Sequence, residues 1–141
     1  GRDITVNQSD ISNILRAKAA IYAAASVLLR AARLRFEDMA EILVAGGFGY
    51  YLDIRNAIFI GLLPDLPVER IRFVSNTSLA GAKLAAVCGR YYDQMVQIST
   101  QATYFELSTD PTFMDQFVSA CFFPHTNIEE FPSVQLTAAR R

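Results

Sequence analysis

The sequence contains no tryptophan, one histidine and two cysteines in 141 residues. Cys88 and Cys121 stand far apart and neither has a CxxC partner, which excludes a zinc or iron–sulfur site built within this chain. That cysteine usage fits a reducing, cytoplasmic setting. Charge of neither sign predominates: 13 basic against 14 acidic residues leave a formal net charge of -1. No positive excess is available to hold nucleic acid. Long hydrophobic runs are missing too, since Ala19 to Leu29, the longest uncharged apolar stretch, falls well short of the roughly 20 residues that a bilayer requires. The expectation is a soluble protein with no membrane segment. No internal repeat, low-complexity tract or interior linker divides it. We expect one unit over residues 1–134, followed by a tail over 135–141. The absence of an initiating methionine and of a signal-peptide pattern suggests a fragment of a larger protein.

Glycine is scarce overall but crowded at one place. Of seven glycines, three fall within "VAGGFGYYLD", residues 44–53, at positions 46, 47 and 49. A strand-to-helix turn can need glycine merely to turn, or because a ligand lies against the main chain.

Around that stretch the pattern is α/β. "NQSD" offers Asn7 as an N-cap with Asp10 in the first turn. Apolar residues at 11, 14, 15, 21, 22, 25, 28, 29 and 32 then predict a helix to about Arg33. Lys18 intrudes on this stripe, on the column of Ile11, Ala25 and Ala32. Either its stem packs while the ammonium reaches water at a groove, or it contacts an anionic or polar ligand.

"EILVAGG" has the continuous apolar character of a strand covered on both faces. Asp53 caps a short helix carrying Ile54, Ala57, Ile58 and Leu62, which Pro64 ends. "IRFVSN", residues 71–76, reads as a second strand. The helix after it is rich in Ala80, Gly81, Ala82, Ala85 and Ala86, small enough for close backbone approach.

A mixed helix over 90–101 follows, and then "TYFEL" as a third strand. Asp110 caps and Pro111 begins a last helix, with Phe113, Met114, Phe117, Val118 and Cys121 on one face. Both cysteines are expected in the core, and His125 in a structural role. Strands alternating with helices predict an α/β layer with helices on both faces.

The stretch departs from three known kinds of glycine turn. Laid on Gly47 and Gly49, the G-x-G-x-x-G dinucleotide fingerprint requires glycine where Leu52 stands, and Asp65 and Glu69 are poorly placed as ribose ligands. The P-loop fails because G-K-[ST] is absent, and the nucleophile elbow because no serine sits between the glycines.

"ILVAGGFG" followed by "VSNTSLAGAKLAA" resembles the adenosine-binding half of the actin, sugar-kinase and Hsp70 superfamily. Within it, "AKAAIYA", "ILVAGGFGYYLDIRNAIFIGLLPDLP", "SNTSLAGA" and "ELSTDPTFMDQFVSACFFPHT" look like the C-terminal domain of the reductive activators of corrinoid proteins. The resemblance runs from about Ile4 to Val134.

It implies half of an actin-like, ribonuclease H-like nucleotide-binding fold, with helices packed on a mixed sheet. Gly46 and Gly47 would lie against the nucleotide, Phe48 and Gly49 would finish the turn, and Lys18 would face the adenosine. Asn76 and Thr77 would stand at the rim. The expected ligand is ATP with Mg²⁺ in the full-length protein, and the [2Fe–2S] cluster of such activators would sit on a domain absent from this chain. The expected partners are a corrinoid protein, the protein's own N-terminal and middle domains, and a second copy in a homodimer.

The superfamily's acidic D-x-G hairpins are missing, so no catalytic residue is assigned here and the piece alone is not expected to hydrolyse ATP. Two alternatives stay open. One is a noncatalytic interaction module, for which the aromatic segment "FMDQFVSACFFPH" would serve as an interface. The other is an ATP-dependent activator of a dehydratase or aryl-CoA reductase.

Overall fold

A computed structural model describes residues 4–138. Helix α1 (Gln8–Ala31) begins at the expected cap, Asn7, which proves to be one half of a capping box: the Asp10 N–H donates to Asn7 Oδ1 and the Asn7 N–H to Asp10 Oδ2, each at 3.0 Å. Arg33, at φ 59, ends it in a left-handed turn. Strand β1 (Ile42–Val44) precedes a 3-10 turn over Phe48–Tyr51 and helix α2 (Ile54–Phe59). Strand β2 (Ile71–Phe73), α3 (Thr77–Val87), α4 (Gly89–Gln101), α5 (Phe113–Ala120) and α6 (Pro132–Ala138) complete the order.

The strands pair in parallel, Ile42 opposite Ile71 and Val44 opposite Phe73. The architecture is mixed α/β with helices predominating.

Several expectations are corrected. β1 is covered on one face only: Ile42 and Val44 pack on the core, while Leu43 is 53% exposed on the other side. β2 stops at Phe73, and Ser75 turns away at φ 61. "TYFEL" is no strand. Glu106 accepts hydrogen bonds from the Ser108 N–H, the Ser108 hydroxyl and the Tyr104 hydroxyl, which draws the chain into a 3-10 turn over Leu107–Thr109. A side-chain acceptor of that kind competes with a ladder.

Helix α2 ends before Pro64 is reached. Gly61, at φ 74, takes the left-handed position of a Schellman motif, with the Leu62 N–H donating to Ala57 O and the Gly61 N–H to Ile58 O. Asp110 is not the cap of the last helix: it accepts from the Thr112 N–H at 2.8 Å in the turn before it, Thr112 stands at the N-cap without a side-chain bond, and α5 begins at Phe113, with Pro111 outside it.

The close approach of small residues belongs to α1 and α5, whose Ala19, Ala23 and Ala120 are fully buried; no residue of α3 is buried. Tyr22 centres the core beyond them. Its ring lies 5.3 to 5.6 Å, centroid to centroid, from Phe36, His125 and Phe131, and its hydroxyl donates to Glu130 Oε2 at 2.7 Å. Cys121 is half-buried against this core, whereas Cys88 is half-buried at the joint of α3 and α4. His125 is buried, and its Nδ1 accepts from the Asn127 N–H at 3.1 Å.

Candidate functional site

Parallel strands deliver the loops that follow them to the same end of a sheet, which is where open α/β folds bind ligands. Here β1 delivers the glycine turn and β2 delivers Ser75 and the N-terminus of α3. The Gly46 N–H donates to Ser75 O at 2.9 Å, so the two loops are tied directly. Gly47 follows the first partner of that bond in the chain, and Asn76 and Thr77 follow the second. Asn76 is the cap of α3, its Oδ1 accepting from the Leu79 N–H at 3.0 Å, and Thr77 is the first residue of that helix. The N-terminus of α3, an electropositive helix end, thus begins one residue after the carbonyl that holds the glycine turn.

The three glycines have three different reasons. Gly46 takes φ 109, a conformation that side-chain-bearing residues rarely adopt. Gly49 is packed: a Cβ there would lie 3.1 Å from Val44 Cγ1 and 3.2 Å from Phe73 Cδ1. Gly47 has ordinary helical angles, φ -65 and ψ -33, and a Cβ on it would meet nothing within 4 Å. The chain itself does not require glycine at 47, so that position is open to something outside the chain. The Phe48 side chain lies outside the described residues.

Lys18 is placed elsewhere. Its side chain is 1% exposed, so the ammonium does not reach water at a groove. Instead Nζ donates to the carbonyls of Phe122 and Pro124, beside the Phe123 ring, and ties α1 to the segment after α5. Burial lowers its pKa from 10.5 to about 8, opposed by the neighbouring Cys121. Burial also lowers His125, against the opposing influence of Glu130.

Lys18 nevertheless lines a cleft of about 690 Å³ between α1 and β1, together with Ile14, Ile21, Ala45, Gly49 and Leu52. The wall is almost wholly apolar. Lys18 and Gly49 share this cleft, while Gly46, Gly47, Asn76 and Thr77 stand outside it. Sequence reasoning missed Ser75, whose carbonyl fixes the glycine turn, and Gly61, where a Cβ would lie 2.8 Å from the Pro124 carbonyl carbon and 2.9 Å from Lys18 Nζ. The glycine after a short apolar helix was a visible sign of the second; nothing local marked the first. Among the described residues, no group of three or more His, Cys, Asp or Glu side chains is placed to hold a metal ion, and no helix is long and apolar enough to cross a membrane.

Comparison with known proteins places this arrangement in the class of actin-like ATPase domains called ASKHA. More particularly, residues 1–135 match the family described as the C-terminal domain of RACo, the ASKHA domain, and the chain belongs to that family.

Among its relatives, the corrinoid activation enzyme RamQ of Eubacterium limosum is 35% identical over 123 residues, covering 87% of this chain and 21% of the relative. The [Co(II) methylated amine-specific corrinoid protein] reductase of Methanosarcina barkeri is 27% identical over 115 residues, covering 80% of this chain and 21% of the relative. A solved structure of a reductive activator for corrinoid, iron-sulfur protein superposes with a TM-score of 0.90 at 45% identity, over 94% of this chain and 21% of that one. The chain thus spans about a fifth of the length of the relatives it matches.

Proposed function

We propose that this chain is the adenosine-side part of the ATP site in a longer corrinoid activator, which couples ATP binding and hydrolysis to reduction of Co(II) corrinoid to Co(I) in a methyltransferase system. The observation that carries this reading is Gly47, left open by its own chain in the turn that follows β1 and that the Ser75 carbonyl holds at Gly46. The names of the relatives support the corrinoid client.

In this reading Gly46 and Gly47 let the nucleotide's sugar and α-phosphate lie on the backbone. Phe48 and Gly49 complete the turn, and Asn76 and Thr77 form the rim. Lys18 lines the cleft beside Gly49 while its ammonium is held by two carbonyls, so its share in this reading is to fix that wall. The Mg²⁺ ligands and the catalytic groups belong to parts of the protein outside these residues, as does the [2Fe–2S] cluster that supplies the electron. ATP drives closure only by binding the closed state more tightly than the open one, and the glycine turn supplies this half's share of that difference. The protein's other domains and a cytoplasmic corrinoid protein are the partners.

Gly47→Val tests the reading. Because the space around Gly47 is open, the variant is expected to fold; its nucleotide affinity should fall at least about tenfold, roughly 1.4 kcal/mol. Reduction at the cluster by an external donor should continue while ATP-stimulated corrinoid reduction is lost. Unchanged nucleotide titration by the variant refutes the assignment.

A noncatalytic interaction module is the second reading, favoured by exposed Met114, Val118, Phe122 and Phe123 at α5 and its end. Absence of any nucleotide response in the intact protein would select it.

A further inference from the structure

Helices α3 and α4 pack chiefly on each other and bury no residue. That is unusual for their composition. The α3 sequence "TSLAGAKLAAV" is apolar on almost every side, and a helix of that kind is normally enclosed by protein. Only Gly81 and Ala85 are half-covered, while Leu84 is 47% and Val87 80% exposed. In α4, Tyr92, Met95, Val96 and Ile98 are all exposed. With Tyr91 they fall within an arc of about 160° at 100° per residue, with the arginine, aspartate and glutamines on the rest of the surface. Apolar residues scattered singly over a surface need no explanation; two helices packed on each other that each leave several exposed mark an interaction surface.

The occupant follows from two observations. The matched relatives are about five times as long as the aligned part, so about four fifths of such a polypeptide lies outside these residues. The same sheet that launches α3 is left with one face uncovered at Leu43, although parallel strands ordinarily have both faces buried. The uncovered strand face and the uncovered helix pair both call for more protein.

We propose that the α3–α4 face is the seat of the remaining part of the same polypeptide. This rests on the reading of the chain as part of a longer activator. Because α3 starts at Asn76, next to the Ser75 carbonyl that holds Gly46, whatever sits on α3–α4 is one helix away from the glycine turn. The contact would therefore report the state of that turn to the rest of the protein.

Val87→Cys in the full-length protein provides the probe. A maleimide would be added and labelling of the introduced thiol read by peptide mass spectrometry, in the native protein and after unfolding. Coverage by the remaining polypeptide should slow labelling at least about tenfold in the native protein, independently of protein concentration. Adding Val96→Asp should restore fast labelling, with the far-ultraviolet circular dichroism retained. Labelling at the unfolded rate in the native protein overturns the proposal. Protection that disappears on dilution also overturns it, and assigns the face to a second copy. The readout does not require nucleotide, so a protected thiol in a protein that ignores ATP would separate failure of the proposed function from failure of this inference.

Discussion

At the residue scale, Lys18 shows how a charge is accommodated inside this molecule. Its ammonium is desolvated and offset by two backbone carbonyls rather than by a carboxylate. Since burial lowers its pKa from 10.5 to about 8, the unfolded chain keeps a proton between those values that the folded chain has released. Stability conferred at this site therefore rises with pH from about 8 to 10.5. Urea titrations across that window should show the rise, and Lys18→Met should remove it. The same substitution leaves the Phe122 and Pro124 carbonyls without their donor and is expected to destabilise by about 1–3 kcal/mol. Gly61 is the neighbouring constraint. Gly61→Ala must adopt a left-handed conformation and push its Cβ into Pro124, at an expected cost of about 2–4 kcal/mol by denaturant unfolding. Because Gly61 and Lys18 meet the same Pro124 carbonyl, the double variant should not show the sum of the two losses.

At the element scale, the scaffold rests on α1 against α5. Ala19 and Ala23 of α1 and Ala120 of α5 are fully buried, and Ser26 Oγ donates to Gln116 Oε1 at 3.2 Å further along the same contact. Axes held close by small residues cannot accept large ones. Ala23→Leu should cost about 1–3 kcal/mol in a thermal melt, by overpacking rather than by loss of any bond. The elements most legible in the sequence were those with local signals: the capping box at Asn7, the cap at Asp53 and the glycine turn. "TYFEL" misled because its aromatic and branched residues fit a strand only where another strand offers an edge. No such edge meets it among the described residues, and Glu106 satisfies nearby donors instead.

At the scale of the whole molecule, the glycine turn and the α3–α4 face are two ends of one helix. A nucleotide that binds only the folded state should raise its stability by about 2.7 kcal/mol at a hundred times its dissociation constant. In the intact protein, the Gly47→Val variant should lose at least about half of that rise at the same ligand concentration, while its ligand-free melting temperature stays close to wild type. A fall in the ligand-free value as large as that of Gly61→Ala would show that Gly47 serves the fold after all.

The sequence by itself determined the family, the helix-capping signals and the glycine turn. These depend on neighbours within a few positions or on motifs that carry a whole loop. Only the tertiary structure decided what Lys18 holds, why Gly46 and Gly49 are glycine, and which helices are left uncovered. Lys18 and its carbonyls are about a hundred positions apart in the chain. Burial is a property of the packed molecule: α3 has the composition of an enclosed helix, yet its surroundings within these residues leave it open.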